Sequence, residues 1–225
     1  MSEFLDLYDY RCRVAAMYRE RNHALLSGEN AAAVLQHFRQ QRDQLFAQHP
    51  QSALDEEQRG AFDGLRYFPY NPAGCCEATI DIDVEHTRQE ITMNASETMM
   101  MTTIGRLHFM VGDEAMKLSL YWLDVYGGGL FLPFRDATSP AQSYGGGRYL
   151  FDTIKGSDFL FVPDVQDQRH ILLDFNYAYN PSCAYNYRWT CPLAPIENRL
   201  SVPIPAGEMN YNMATSGGST SPARS

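Results

Sequence analysis

Two arginines beside glycine-rich segments have the clearest chemical potential in this sequence. Arg135 and Arg148 each come after a run of three glycines. Glycine lets the backbone bend sharply and approach a ligand closely, and the planar guanidinium group suits a carboxylate or a phosphate. If the two segments converge, the arginines form a clamp for an anionic ligand. In the structural alternative, Arg135 pairs with an acid such as Asp136 or Glu197 and locks two loops together.

Carboxylate and amide side chains are frequent between residues 174 and 199. Asp174 and Glu197 can act as a general acid and base if their surroundings separate their pKa values. Asn180 and Asn198 suit turns, because Asn side chains bond to nearby backbone. The pattern assigns no catalytic residue and leaves open whether the protein is an enzyme. It predicts a ligand site between the 127–148 and 174–199 loops. The predicted ligand-binding residues are Arg135, Asp136, Tyr144, Arg148, Asp174, Asn176, Tyr179 and Glu197.

Aromatic side chains crowd the same two loops. Packing within the loops is the plain structural interpretation. A pocket lined by these rings would suit a small planar molecule, whereas a rigid aromatic surface would suit another protein. Two functional classes therefore remain: a protein that binds a small anionic or planar ligand, and a non-catalytic protein-interaction module. The aromatic residues are Tyr144, Tyr149, Phe175, Tyr177, Tyr179, Tyr185, Tyr187 and Trp189.

Motifs for metals and nucleotide cofactors are missing from the sequence. Cys183 and Cys191 are separated by seven residues, whereas paired zinc ligands usually have two to four residues between them. Neither a P-loop nor a dinucleotide-binding glycine motif occurs. We therefore expect no metal site and leave the cofactor unassigned. The two thiols are interpreted as small apolar packing groups; a reversible disulfide between them is conceivable but lacks a C-x-x-C motif.

Composition narrows the class of protein. The chain of 225 residues is 44% apolar and 20% charged, as in an ordinary globular domain. A net charge of −9 argues against nucleic-acid binding, and no basic cluster or long apolar run indicates a membrane partner. Five cysteines fit reduced thiols, and the polar, acidic start does not resemble a secretion signal. We expect a soluble cytoplasmic protein of unknown oligomeric state.

The first sixty residues predict helices. A first helix ends at Ser27-Gly28, Asn30 caps a second helix that stops before Pro50, and a third, short helix starts at Asp55. The short connection between the first two helices predicts an antiparallel hairpin. The apolar stripes that should face each other are Leu7, Val14, Tyr18 and Leu25 on the first helix and Leu35, Phe38, Leu45 and Phe46 on the second.

After Gly64 the apolar residues alternate instead. Residues 76–84 predict a half-buried strand whose core-facing side chains are Ala78, Ile80, Ile82 and Val84. Residues 102–111 and 116–125 predict a hairpin that turns at Gly112. Connections this short leave no room for crossover helices, so the sheet should be antiparallel. We predict a mainly β (α+β) fold, an antiparallel β-barrel or two-sheet sandwich with an N-terminal helical hairpin. Further strands are predicted at 129–134, 147–151, 158–162, 170–175 and 200–204.

Three parts of the chain are predicted from these patterns. Residues 1–63 form the helical hairpin, which packs on the β domain. Residues 64–208 form the β domain that carries the site. Residues 209–225 are polar and rich in small side chains, a composition typical of a disordered tail.

The segments around the predicted site resemble a known family. GGGLFLPFRDATS, YGGGRYL, LDFNYAYNPSCAYN and CPLAPIENRL are similar to motifs of the bacterial and archaeal family catalogued as domain of unknown function 1684. The resemblance extends from the helical start to Glu208. Family members commonly have proline where this chain has Ser182, Ala194 and Ile196, which implies a less rigid loop here. The family carries no established activity, so the resemblance implies boundaries and leaves the function open.

Overall fold

Helices form the N-terminal part of the protein. The computed structural model describes residues 2–93, 98–160 and 170–211. Its helices are α1 (Glu3–Leu26), α2 (Ala31–Gln48) and α3 (Glu56–Gly60). The predicted caps are confirmed: the Asn30 side chain accepts from the Ala33 N–H at 3.0 Å, and Asp55 forms a capping box with Gln58.

The contact between α1 and α2 is shorter than the sequence predicts. Val14, Tyr18, Leu35 and Phe38 are buried as expected, but Leu7 is 37% exposed. Since α1 has 24 residues and α2 has 18, the second helix cannot cover the first along its whole length. The buried face of α1 consists of Val14, Met17, Tyr18 and Arg21.

Seven strands form one antiparallel sheet that curls into a half-barrel. Their order across the sheet is β6-β5-β4-β3-β1-β7, and β2 pairs with β3 as well. The predicted antiparallel sheet with a helical N-terminal region is confirmed. The strands are β1 (Cys75–Asp81), β2 (Arg88–Thr92), β3 (Thr98–Val111), β4 (Glu114–Leu123), β5 (Gly129–Phe134), β6 (Arg148–Asp152) and β7 (His170–Asp174).

Some strand boundaries differ from the prediction. The first strand ends at Asp81, and Ile82, predicted to face the core, is 56% exposed. β2 was missed because RQEIT contains a single apolar residue. Residues 158–160 form no strand, although Leu160 makes one isolated bridge to Leu172; residues 161 and 162 lie outside the described residues.

The predicted strand at 200–204 is also wrong. This segment is irregular and bonds to the chain after β5 only locally: the Leu200 N–H donates to the Arg135 carbonyl at 2.7 Å. Pro203 and Pro205 lack the N–H groups that a ladder requires. The apolar side chains of the segment pack into the core of the sheet, and we call residues 200–208 the strap.

The second glycine run brings β6 against β5. Gly147 has a φ of +91°, and a Cβ atom on it would lie 2.6 Å from the Phe134 carbonyl oxygen. Both the left-handed backbone and the close approach favour glycine here. At this position the glycine has a structural role.

The main core lies between the sheet and the strap, and a second cluster joins the two helices. Tyr177, which follows β7, inserts its ring into the helical cluster and packs edge-to-face on Phe38 with centroids 5.0 Å apart.

In the described part of the chain, no helix is long and apolar enough to cross a membrane.

Of the predicted tail, residues 212–225 lie outside the described residues. Met209 and Asn210 donate their N–H groups to the carbonyls of Arg66 and Gln142, both at 2.9 Å. The division of the chain near residue 63 and the disordered tail stay predictions.

Asn198→Ala should lower the free energy of unfolding by about 3 kcal/mol. The buried Asn198 side chain accepts from the Ser119 N–H at 2.7 Å and donates to the carbonyls of Ser119 and Pro133 at 2.9 and 2.8 Å. Urea unfolding would measure the loss. Asn210→Ala is the matched control, since its side chain makes one exposed bond, to Pro140. A similar small effect for both variants would contradict a structural role for Asn198.

Candidate functional site

The Arg148 side chain lies inside the protein, with 1% exposure. Its guanidinium donates to Asp136 at 3.0 Å and to the carbonyls of Ile204 at 3.0 Å, Glu208 at 3.2 Å and Ala206. Burial lowers the pKa of Arg148, and the Asp136 carboxylate offsets part of that shift. Arg148 and Asp136 therefore fasten the strap to β6.

Arg135 is held mainly through its backbone. Its N–H donates to the Asn198 carbonyl at 3.0 Å, and it forms a parallel bridge with Arg199. Its side chain is half-buried. Arg148 is enclosed and paired, so a ligand that bound the Arg135 side chain from the solvent would not also contact the Arg148 guanidinium.

Glu197 borders a groove of about 360 Å³ between β2 and residues 193–199. The Tyr121 hydroxyl and the Gln89 amide donate to its carboxylate at 2.9 and 3.0 Å. Partial burial raises the pKa of Glu197, but these hydrogen bonds outweigh burial and lower it overall. The rim of the groove also carries Glu90 and Arg199, so its charge is mixed.

Asp174 and Asn176 hold the turn after β7. The Asp174 carboxylate accepts from the backbone and side-chain N–H groups of Asn176 at 3.0 and 2.9 Å. The Asn176 side chain also exchanges two hydrogen bonds with the Asn71 backbone. Burial raises the pKa of Asp174. Together these bonds position the segment that carries Tyr177.

Glu208 joins the helices to the β domain and was missed as a site residue. Its carboxylate is 1% exposed and accepts from Arg42 of α2 at 2.5 Å, from the Asn180 N–H at 2.8 Å and from the Tyr185 hydroxyl. Burial alone would lower the pKa of Arg42, but Glu208 holds it well above the ordinary value. The Arg42 guanidinium lies 5.1 Å from the centroid of the predicted site residue Tyr179.

A second arginine on α2, Arg39, has no carboxylate partner like Glu208 among the described residues. The Arg39 guanidinium lies 4.4 Å from the centroid of the Tyr67 ring, and its Nε and Nη2 atoms are buried without a hydrogen-bond partner. The Tyr177 hydroxyl is likewise buried without a partner. The Arg21 guanidinium lies 4.6 Å from the centroid of the Tyr177 ring. We call Arg21, Arg39, Tyr67 and Tyr177 the arginine–tyrosine cluster.

The electrostatics of the cluster favour donors. Burial lowers the pKa of Arg39, with opposing effects from Tyr67 and Glu208, and the guanidinium stays charged. Burial raises the pKa of Tyr177, so the hydroxyl stays protonated. Two N–H groups of a guanidinium and a nearby hydroxyl are donors suited to a carboxylate or phosphate.

The described residues offer no evident metal site. In the described part of the chain, no group of three or more His, Cys, Asp or Glu residues is arranged to hold a metal. Between Arg21 and Asp174 lies a cavity of about 10 Å³, which Arg39, Tyr67 and Tyr177 do not line; it has roughly the space of one water molecule. The chemistry that the cluster itself offers is that of hydrogen-bond donors for an anion.

Sequence signals for Arg21 and Arg42 exist in hindsight. Arg21 falls three residues after Tyr18 on the apolar stripe of α1, and Arg42 falls four residues after Phe38 on that of α2. A charged residue on a buried stripe needs a partner from elsewhere in the fold. The spacing reveals that need without identifying the partner.

The comparisons with known proteins agree with the resemblance found in the sequence. The solution NMR structure of an uncharacterised protein from Haloarcula marismortui is 36% identical, with a TM-score of 0.55, and the match covers 79% of this chain and 92% of that chain. No curated protein matches the sequence. A sequence model of the family described as protein of unknown function (DUF1684) matches residues 60–209. Since this match covers well over half of the chain, the protein belongs to the DUF1684 family.

Proposed function

We propose that the protein binds a small ligand bearing a carboxylate or phosphate group at the arginine–tyrosine cluster. Six buried side-chain atoms lack a hydrogen-bond partner in the described part of the chain, and three of them carry the proposal: Nε and Nη2 of Arg39 and the hydroxyl oxygen of Tyr177. Each buried donor left unsatisfied costs about 1–3 kcal/mol, and more when charged. An anion that accepts from these groups would recover that free energy on binding.

The proposal keeps the predicted ligand class and the 174–199 loop, but it uses a different arginine as anchor. Arg148 donates to Asp136 and to three backbone carbonyls and keeps only its Nε without an acceptor. Arg39 has two guanidinium nitrogens, Nε and Nη2, without acceptors and no carboxylate partner among the described residues. Asp174 and Asn176 contribute by holding the Tyr177 segment. Ligand contacts of Arg135, Tyr144 and Glu197 stay predictions.

The interaction-module alternative has less support. Of the eight aromatic residues predicted to build a loop surface, seven are buried or half-buried, and Tyr187 alone is exposed, at 88%. A single exposed ring does not make an aromatic surface of the size that marks a protein interface. A cytoplasmic location and the exclusion of nucleic acid stay predictions.

Arg39→Gln should abolish stabilisation by anions. Inorganic phosphate and citrate are expected to raise the melting temperature of the unmodified protein in a saturable way, by the equivalent of about 2.7 kcal/mol at 100 times the Kd. Differential scanning fluorimetry over a concentration series at constant ionic strength would measure the rise. Arg13→Gln is the matched control, because Arg13 is exposed and pairs with Asp9 at 2.7 Å. An equal rise in both variants would contradict the assignment of Arg39.

Tyr177→Phe separates ligand binding from structural support. Without ligand, this change should leave the free energy of unfolding unchanged or slightly increased, because it removes a buried hydroxyl without a partner and keeps the ring. With ligand, the loss of one hydrogen bond should weaken anion affinity about tenfold. Calorimetric titration with the better of the two anions and urea unfolding would test both parts. A destabilised variant with unchanged affinity would refute the role of the hydroxyl.

Arg148→Gln should destabilise the protein without changing its response to anions. Removing one partner of a buried ion pair leaves Asp136 uncompensated, so the free energy of unfolding should fall by about 3–5 kcal/mol. The loss should be the same with and without saturating phosphate, as measured by urea unfolding. A variant that stays fully stable yet loses its response to anions would instead support the arginine clamp predicted from the sequence.

A further inference from the structure

Two cysteines that are eight positions apart in sequence lie together in the loop after β7. The Cys183 N–H donates to the Cys191 sulfur at 3.3 Å, which places that sulfur within about 5 Å of the Cys183 Cα. Each thiol also shifts the pKa of the other. Two cysteines placed in this way can form a disulfide when their side chains rotate to bring the sulfur atoms to bonding distance.

We propose that Cys183 and Cys191 are a reversible dithiol–disulfide pair that a small hydroperoxide oxidises. The proposal is independent of the anion site, because it rests on the position of the Cys191 sulfur against the Cys183 backbone. The thiols are 7% and 1% exposed, and this enclosure favours a small oxidant over a bulky disulfide reagent.

The two sulfurs have different charges. A hydrogen bond from the Cys183 thiol, together with nearby backbone N–H groups, lowers the pKa of Cys191 to about 6. The same hydrogen bond and burial raise the pKa of Cys183. At neutral pH one reactive thiolate therefore faces one thiol that can donate a proton.

The reaction balances with hydrogen peroxide as oxidant. The Cys191 thiolate attacks one peroxide oxygen, the O–O bond breaks, and a sulfenic acid and hydroxide form. The Cys183 sulfur then attacks the sulfenic sulfur, and the thiol proton and the departing hydroxyl leave as water. Two thiols lose two electrons in total, and one peroxide is reduced to water and hydroxide.

The other three cysteines lack this arrangement. Cys75 and Cys76 are neighbours in β1, so their side chains point to opposite faces of the sheet. Burial raises their pKa values to about 12 and about 11, which keeps both protonated. Cys12 lies exposed on α1. Oxidation should therefore select the 183–191 pair.

Peptide mapping of the full-length reduced protein tests the proposal. After brief treatment with equimolar hydrogen peroxide, denaturing alkylation should find three reactive thiols instead of five. Trypsin cuts after Arg188, so Cys183 and Cys191 fall on separate peptides, 170–188 and 189–199. We expect these peptides to appear joined, about 2 Da lighter than their sum, and dithiothreitol should restore all five thiols.

The controls use the same readout. Cys75→Ser with Cys76→Ser should leave the joined peptides unchanged, whereas Cys183→Ser should abolish them. The unmodified protein is decisive if Cys183→Ser fails to fold. Separate peptides after peroxide treatment, with both cysteines alkylated or oxidised beyond sulfenic acid, would overturn the proposal.

Discussion

The buried carboxylate of Glu208 holds the helices, the loop after β7 and the sheet together. A carboxylate with 1% exposure is stable only when charged and polar partners surround it. Its partners come from separate parts of the chain: Arg42 from α2, Asn180 and Tyr185 from the loop after β7. The Glu208 backbone carbonyl accepts from Arg148 at the start of β6. One residue near the end of the described part of the chain thus ties the helices, the loop and the sheet together.

The ion pair between Arg42 and Glu208 also explains why Arg39 is the arginine left without a carboxylate. With Arg42 drawn to Glu208, Arg39 lies nearly one turn away on the same helix and faces Tyr67. An aromatic ring stabilises a guanidinium through its face, but it does not accept the in-plane hydrogen bonds of Nε and Nη2. Arg42 therefore donates to a carboxylate, whereas Arg39, three residues earlier, has Nε and Nη2 atoms without an acceptor. That difference makes Arg39 the better anchor for an external anion.

The loop after β7 combines these roles because many of its side chains are buried in different directions. Tyr177 enters the helical cluster, Tyr185 reaches Glu208, and Cys183 meets Cys191. Most of the aromatic side chains that suggest an interaction surface in the sequence are buried or half-buried instead, and Tyr187 is the exception. Burial holds the loop in place and gives both the proposed anion site and the proposed dithiol pair a defined geometry.

Local features of this protein were predictable from sequence. Asn30 and Asp55 cap their helices, Gly112 turns a hairpin, and Ala78 faces the core, because capping, turns and alternation depend on residues within a few positions of each other. The family resemblance also came from contiguous motifs. The antiparallel sheet followed from the short connections between strands.

The partners of the charged residues were decided by the tertiary structure. Arg42 and Glu208 are 166 positions apart, and no spacing rule connects them. The sequence offered Arg135 and Arg148 as equals, yet the fold encloses Arg148 with Asp136 and leaves Arg135 half-buried. A guanidinium becomes a structural ion pair or a ligand anchor according to which acceptors the fold brings within about 3 Å of it and how much water it excludes. Both depend on chain segments far away in sequence.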